Sequence, residues 1–167
     1  GTAMTNATFR LSIIARGGSH SAVGMAAYGA GKSLKVQSIV AAASYRSGEP
    51  LFDKQLEKTF DYSGREDVVH TTILTPAHVP EVAPHLLDRS TLWNEVETVE
   101  KRKDARLARS LIIALPRELT IEQNIQLVEA YVEAEFIAMN MIADIAVHTK
   151  EATDGLENPR CHILLTT

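Results

Sequence analysis

Two short apolar runs near the end of the chain constrain its fold more than any other feature. Residues 142–148 and 161–166 consist largely of Ile, Leu, Val and Ala, and the polar segment 149–159 lies between them. Each run has the length of a buried β-strand, and elements adjacent in sequence usually lie side by side in space. The sequence therefore predicts two neighbouring strands of one sheet, joined by a loop over 149–159.

The rest of the chain predicts strands and helices in alternation. Further strands are predicted at residues 9–15, 68–74 and 111–115, and Gly or Pro follows each one. Helices are predicted at residues 21–29, 38–48 and 91–108 and from Thr120, where Gln123 completes a capping box. Residues 49–66 are predicted to form a loop. The order β-α-α-β-α-β-α-β-β predicts an α+β fold in which helices cover an antiparallel sheet.

Length and composition are typical of one soluble domain. The chain has 167 residues, of which 45% are hydrophobic and 23% charged. No apolar run approaches the roughly 20 residues that a membrane span needs. Cys161 is the only cysteine, which excludes an internal disulfide and favours the cytoplasm. We interpret residues 1–4 as a cloning remnant and start, and residues 5–167 as a single domain from the N-terminal part of a longer protein.

The charge distribution is uneven. The formal net charge of −4 argues mildly against nucleic acid as a partner. One segment is nevertheless strongly basic, with Lys101, Arg102, Lys103, Arg106 and Arg109 close together. This segment is either the solvated face of a helix or a contact with a DNA backbone.

His148 and His162 lie on the two predicted C-terminal strands, so pairing of these strands brings both imidazoles to one edge of the sheet. Two histidines alone are weak evidence for a metal site. Arg160 shares a face with His162 because side chains alternate along a strand. Its cation opposes a bound divalent ion but suits a phosphate.

Tyr28 and Tyr45 occupy equivalent places in two similar Ala-rich segments. Either ring could simply pack against the sheet with its hydroxyl in water. A tyrosine can also act as a nucleophile where a cation or metal stabilises its phenolate. These residues alone do not decide between a packed ring and a nucleophile.

Several blocks of the chain, in order, resemble the MobA/MobL-type relaxases of mobilisable plasmids, which belong to the His-hydrophobe-His endonucleases. The blocks are RGGSHSAVGMAAY, AAASYRSGEPLFD, FDYS, VVHTTILTP, LWNEVETVEKRKDARLAR, IALPRELT and AVHTK with ENPRCHILLTT. The resemblance implies a relaxase-like antiparallel five-stranded sheet with helices packed on one side.

The resemblance also implies an activity. Such enzymes bind single-stranded or hairpin DNA at an origin of transfer and nick one strand, leaving a 5′-phosphotyrosyl link, with Mg²⁺ or Mn²⁺ held by histidines. It further implies accessory mobilisation proteins and a coupling protein as partners.

Residue by residue, the resemblance implies that His148 and His162 are metal ligands and that Arg160 occupies the third ligand position. Ser110 and Ile112 stand where many members have carboxylates. These departures put metal-dependent nicking in doubt. The alternative is a catalytically weakened, relaxase-like DNA-binding module in which Arg160 contacts a phosphate. An engineered change at Arg160 is a third explanation.

The resemblance leaves the nucleophile open. Tyr45 has the local context of the family and Tyr28 its distance from the first strand, so both are candidates, with Tyr45 preferred and His20 as a third. A duplicated helix could also supply two tyrosines for successive cleavages. The implied DNA contacts are Arg46, Lys101, Arg102, Lys103, Arg106 and Arg160.

Overall fold

A computed structural model describes residues 9–17, 33–151 and 155–167 of the chain. The elements in chain order are β1 (Phe9–Arg16), β2 (Ser33–Val36), α1 (Ile39–Ser47), β3 (Leu51–Asp53), β4 (Lys58–Phe60), β5 (Val68–Leu74), α2 (Val79–Val82), α3 (Arg89–Val99), β6 (Arg106–Ala114), α4 (Ile121–Glu135), β7 (Ala143–Glu151) and β8 (Glu157–Leu165). Short 3₁₀ turns cover Pro84–Leu87 and Ile137–Met139. Among these helices, none is long and apolar enough to span a bilayer.

Six strands form one sheet in the order β2-β1-β6-β8-β7-β5, and β3 with β4 forms a separate hairpin. Neighbouring strands run antiparallel through β1, β6, β8, β7 and β5, whereas β2 pairs with β1 in parallel. The predicted α+β fold with an antiparallel sheet is therefore confirmed. The sixth strand, β2, was not predicted, because its sequence SLKV is short and only half apolar.

The helices lie on both faces of the sheet rather than on one. Leu164 of β8 packs in the same cluster as Trp93 of α3 and the buried residues of α1. Ile163, the preceding residue, packs with Val128 and Val132 of α4. Because successive side chains of a strand point to opposite faces, α4 covers the second face. This explains why 163–165 is an unbroken apolar run, as expected of a strand buried on both sides.

Helix α1 begins and ends where the sequence predicted. The Ser38 side chain accepts a hydrogen bond from the Ala41 N–H, and Gly48 closes the helix in the left-handed region at φ 74°. Glu97 of α3 accepts a hydrogen bond from the Ile39 N–H at 2.6 Å, which ties the first turn of α1 to α3. The similar helix predicted at 21–29 lies outside the described residues.

Three predicted boundaries are wrong. The predicted loop 49–66 contains the β3–β4 hairpin, whose buried Leu51 and Phe60 are paired. The predicted helix 91–108 ends at Val99, and β6 begins at Arg106. The predicted loop 149–159 is shorter because β7 and β8 continue pairing out to Glu151 and Glu157. Charged and polar residues interrupt the apolar pattern at these strand ends, so apolar alternation did not predict the extensions.

Candidate functional site

The structure brings His148 and His162 together on the face of the sheet that α1 covers. His148 lies opposite Arg160 in the β7–β8 register, and Ala146 lies opposite His162. The two imidazole rings are stacked, with centroids 4.4 Å apart and an interplanar angle of 28°. The strand pairing predicted from the sequence therefore places both histidines and Arg160 in one cluster.

Both ring nitrogens of His148 have partners. Its Nε2 lies 2.6 Å from the backbone carbonyl of Arg46 in α1, and its Nδ1 lies 3.3 Å from Nη2 of Arg65. A carbonyl only accepts and a guanidinium only donates, so Nε2 carries the proton and Nδ1 accepts. Burial lowers the pKa of His148, although the bond to the Arg46 carbonyl opposes this effect. The neutral imidazole therefore joins α1 to the sheet.

Arg65, in the segment before β5, connects the histidines to Tyr45. Its Nε and Nη2 donate to the Asp67 carboxylate at 3.0 and 2.7 Å, and its Nη1 donates to the Tyr45 carbonyl at 2.8 Å. The guanidinium also lies 4.6 Å from the centroid of the Tyr45 ring, which meets Tyr62 edge-on. Sequence reasoning missed Arg65, because only its spacing from Asp67 hinted at a pair.

A cavity of about 340 Å³ opens beside this cluster. Its lining residues are Arg65, Asp67, His148, Lys150, Asn158, Arg160 and His162. Three cationic side chains therefore share the cavity with one carboxylate. Sequence reasoning also missed Lys150 and Asn158, which lie on β7 and β8 two residues from His148 and Arg160, and so on the same face of the sheet. The excess positive charge makes this cavity, called here the arginine pocket, suited to an anion.

The titration of His162 reports the same positive field. Burial is the main cause that lowers the pKa of His162 well below its ordinary value, and His148, Arg46, Arg65 and Arg160 lower it further. Burial likewise lowers the pKa of Arg46 to about 10. His162 is thus held neutral by its surroundings.

The described residues do not fit the three-ligand metal site that the resemblance implied. His148 already uses both ring nitrogens, and the third position is the guanidinium of Arg160. Within residues 9–17, 33–151 and 155–167, no group of three or more His, Cys, Asp or Glu side chains could hold a metal ion. Binding of Mg²⁺ or Mn²⁺ stays a prediction, to be measured as described below.

Ser110 and Ile112, where the resemblance implied carboxylates, lie on the strand next to His162. Ile112 pairs with His162 and Ser110 pairs with Leu164. Asp144 lies on the same face of β7 as His148, but Arg89 and Trp93 donate hydrogen bonds to its carboxylate. The described neighbours of His162 on β6 therefore add no negative charge.

The residues predicted to contact DNA lie in two places. Arg160 lines the arginine pocket, and Arg46 is buried beneath it, with Nη1 donating to the Ala42 carbonyl. The other four, Lys101, Arg102, Lys103 and Arg106, are exposed at or before the start of β6. Ala114, at the other end of β6, pairs with Arg160, so this basic segment lies roughly 26 Å from the pocket along the strand.

Of the candidate nucleophiles, Tyr45 is described and lies half-buried on α1. Tyr28 and His20 lie outside the described residues. Arg65 is the group that joins Tyr45 to the arginine pocket, through its contacts with the Tyr45 ring and carbonyl.

Acidification is expected to destabilise the fold through these histidines. His148 and His162 have lowered pKa values in the folded state, whereas unfolded histidines take up protons near pH 6.5. Their contribution is therefore complete above about pH 6.5 and is lost as the pH falls below it, with a slope of at most about 1.4 kcal/mol per pH unit for each histidine. Urea unfolding between pH 7.5 and 5, followed by circular dichroism, measures this slope.

The control for this experiment is the same kind of change at an exposed histidine. His162→Leu should flatten the dependence below pH 6.5, whereas His78→Gln, at an exposed position, should leave it unchanged. Equal slopes for His162→Leu and the original chain would contradict this assignment.

Comparison with known proteins places this site in a family. Residues 37–167 match the model of the MobA/MobL family. The chain is 37% identical over 137 residues to the conjugal transfer protein TraA of Agrobacterium fabrum, which covers 78% of this chain and 12% of that protein. It is 35% identical over 121 residues to the mobilization protein MobL of Acidithiobacillus ferridurans, covering 72% of this chain and 30% of that protein.

A solved structure described as "Molecular Basis of Vancomycin Resistance Transfer in Staphylococcus aureus" has the same fold. The TM-score is 0.74 at 26% sequence identity, and the match covers 96% of this chain and 69% of that chain. The chain spans about an eighth of the length of the TraA relative, at 12%. The family match covers most of the described fold, including β7, β8 and the arginine pocket. The resemblance to a MobA/MobL-type relaxase is thus confirmed, and the chain belongs to the MobA/MobL family.

Proposed function

We propose that this chain is a DNA-binding domain for plasmid mobilisation that binds single-stranded or hairpin DNA at an origin of transfer. In this proposal a backbone phosphate lies in the arginine pocket. The observation that carries it is the convergence of Arg65, Lys150 and Arg160 on one cavity beside two neutral histidines. The names of the relatives, which are conjugal transfer and mobilisation proteins, support a function in plasmid transfer.

The side chains of the pocket match the chemistry of a phosphate. Asp67 offsets one charge through its ion pair with Arg65 at 2.7 Å, which leaves the charges of Lys150 and Arg160 in excess. Guanidinium groups bind phosphate oxygens with two parallel hydrogen bonds, and the Asn158 amide adds a neutral donor. A divalent ion would supply the same neutralisation, but here the guanidinium of Arg160 supplies it at the third ligand position.

We further propose that the domain transfers a DNA strand to a tyrosine. The nucleophile is Tyr45, which lies on α1, and Tyr28 is the alternative. The phenolic oxygen attacks phosphorus, the bond from phosphorus to the 3′ oxygen breaks, and the tyrosine stays joined to the 5′ phosphate. The phenol gives up its proton and the departing 3′ oxygen gains one. The phosphodiester energy is kept in the new link, so the strand can be rejoined without a nucleotide cofactor.

Binding is tested with a labelled hairpin oligonucleotide carrying a single-stranded arm, in EDTA, across a series of salt concentrations. Arg160→Glu should lower the affinity at least tenfold and reduce the salt slope by about 0.7 or more, since each lost phosphate contact removes about that much on single strands. Lys103→Glu, the same charge change at the basic segment, should have the smaller effect. A larger loss for Lys103→Glu would place the DNA on that segment and contradict a phosphate in the pocket.

Strand transfer is tested with the same oligonucleotide on a denaturing gel, with EDTA, Mg²⁺ or Mn²⁺. A covalent adduct that disappears in Tyr45→Phe and persists in Tyr62→Phe identifies Tyr45 as the nucleophile. An adduct that Tyr45→Phe leaves unchanged excludes Tyr45. Binding that survives EDTA without any adduct identifies the alternative function, a DNA-binding module with a weakened catalytic site. An adduct that requires Mn²⁺ shows that the domain retains a metal.

A further inference from the structure

The outer edge of β5 is open within the part of the chain that the structure describes. β5 (Val68–Leu74) is the last strand of the six-stranded sheet, and β7 is the only described strand that pairs with it. No other described residue forms a backbone–backbone hydrogen bond with residues 68–74. Alternate N–H and C=O groups of an edge strand point away from its neighbour, so these groups of β5 can pair with one further strand.

The sequence of β5 does little to protect this edge. VVHTTIL consists mainly of β-branched residues and contains no proline, lysine or acidic residue. A register shift affects only Val68–His70, and Thr71–Leu74 stay in regular register with β7. The opposite edge strand, β2, has only four residues, one of which is the exposed Lys35. Short strands and lysines are common means of preventing an edge from pairing, so β5 is the edge suited to strand addition.

A cavity of about 250 Å³ opens along the edge of β5. Its lining includes Thr71, Thr72 and Ile73, three consecutive residues of the strand. Successive side chains of a strand point to opposite faces of the sheet. A cavity that touches all three residues therefore lies against the edge of the strand, where the backbone of an added strand would lie.

The other lining residues make this cavity negative. They are Leu87, which is an apolar wall, and the charged residues Glu49, Asp88 and Arg89. The Arg89 guanidinium is shared between Glu49, at 2.8 Å, and the buried Asp144, also at 2.8 Å. Hydrogen bonds from the first turn of α3 lower the pKa of Asp88 and keep its carboxylate ionised. One guanidinium thus faces three carboxylates, which leaves negative charge in excess.

We propose that the open edge of β5 and this cavity, together called here the edge groove, bind an extended, basic peptide segment of a partner protein. The segment adds a seventh strand to the sheet and forms main-chain hydrogen bonds with β5. Its lysine or arginine side chain contacts Glu49 and Asp88. The edge groove and the arginine pocket share no lining residue, so this inference does not rest on the proposed function.

A second copy of the chain fits the edge groove less well. Two β5 strands that pair antiparallel about a two-fold axis keep the same face of each sheet on the same side. In registers centred on Thr71 or Thr72, the Glu49 and Asp88 carboxylates of both copies would meet near this axis. Like charges brought together at an interface oppose association. Charge complementarity therefore favours a basic segment of another protein.

Binding is tested by fluorescence anisotropy at low salt with a labelled, end-blocked peptide, Thr-Val-Thr-Lys-Thr-Val-Thr. Replacing its lysine by glutamate should lower the affinity about tenfold or more. An added strand directs alternate N–H groups toward β5. N-methylation of either the odd or the even residues should therefore abolish binding, whereas methylation of the other set should leave the affinity within about threefold. Equal effects of the two sets would overturn strand addition, and this comparison uses the unaltered chain.

Hydrogen exchange measured by mass spectrometry locates the bound peptide. The amides of residues 68–74 should exchange more slowly when the lysine peptide is bound, whereas those of Ser33–Val36 in β2 should be unaffected. Protection of β2 instead of β5 would contradict the edge groove.

Glu49→Gln combined with Asp88→Asn tests the role of the charges. Asparagine caps a helix about as well as aspartate, so α3 keeps its N-cap. This double variant should bind the lysine peptide about tenfold more weakly, without a loss of affinity for the glutamate peptide. Glu57→Gln combined with Asp104→Asn makes the same changes at exposed positions and is the control. Equal losses in the two double variants would exclude a specific contact with the edge groove.

The remaining outcomes separate the occupants and the two proposals. Sedimentation velocity of the original chain without peptide should show a monomer. A dimer that dissociates as the lysine peptide binds would show that β5 pairs with a second copy, which overturns the proposed occupant. If no peptide binds but DNA binding depends on Arg160, the edge groove is wrong and the proposed function stands. If the peptide binds as expected but DNA does not, the proposed function is wrong and the edge groove stands.

Discussion

Asp144→Ala is expected to lower the free energy of unfolding by about 3–5 kcal/mol, the loss typical of a broken buried ion pair. Asp144 and Arg89 are both buried, at 5% and 6% exposed, and Arg89 Nη2 lies 2.8 Å from Asp144 Oδ1. Arg89 Nε also donates to the same carboxylate at 2.9 Å, and Trp93 Nε1 donates at 2.8 Å. Removing the carboxylate leaves a buried cation whose remaining ion pair is with the half-exposed Glu49.

The stability of the variant is measured by urea unfolding at pH 7.5, followed by circular dichroism. Asp104→Ala is the matched control, since it makes the same side-chain change at an exposed pair with Arg102, 3.6 Å apart. That control should lose less than about 1 kcal/mol. Similar losses for the two variants would mean that the Arg89–Asp144 pair contributes no more than a surface contact.

Arg65→Ala is expected to cause the largest functional loss of any single change outside the tyrosines. It removes one cation of the arginine pocket, the hydrogen bond to His148 and the contacts with Tyr45 at once. We expect DNA affinity to fall at least tenfold and the covalent adduct to become undetectable. Oligonucleotide binding and the denaturing gel, under the conditions given above, measure the two effects separately.

Arg65→Lys distinguishes charge from geometry. Lysine keeps the positive charge but cannot contact Asp67, Tyr45 and His148 together, because its single ammonium lacks the planar fork of arginine. The salt slope of DNA binding should therefore stay close to that of the original chain, whereas adduct formation should fall at least tenfold. If Arg65→Lys forms the adduct at the original rate, Arg65 contributes charge alone and does not position Tyr45.

The sequence predicted the middle of most elements better than their ends. Strong local signals, such as the Thr120–Gln123 capping box and the Gly48 helix end, correspond to structure at the same residues. The predicted helix 91–108 was wrong beyond Val99, because the charged residues that follow are compatible with a helix surface. The polar ends of the strands could not be predicted from apolar periodicity, since their pairing depends on backbone hydrogen bonds.

For the site, strand alternation and the predicted pairing were enough to bring His148, His162 and Arg160 together. Arg65 could not be predicted, because it reaches the site from an irregular segment whose path depends on contacts with Tyr45 and Asp67. The distance between the basic segment and the arginine pocket could not be predicted either, since it depends on the residue at which β6 begins. Long-range geometry of this kind is set by the assembled sheet rather than by any local pattern.

The hydrogen bond between Trp93 and Asp144 gives the molecule an intrinsic optical reporter. Trp93 is the only tryptophan of the chain and is fully buried, at 0% exposed. Its indole N–H reaches the carboxylate across the contact between α3 and β7. A shift in the wavelength of its emission therefore records the opening of this one contact. Comparing that signal with the loss of total secondary structure would show whether α3 separates from the sheet before the rest of the domain unfolds.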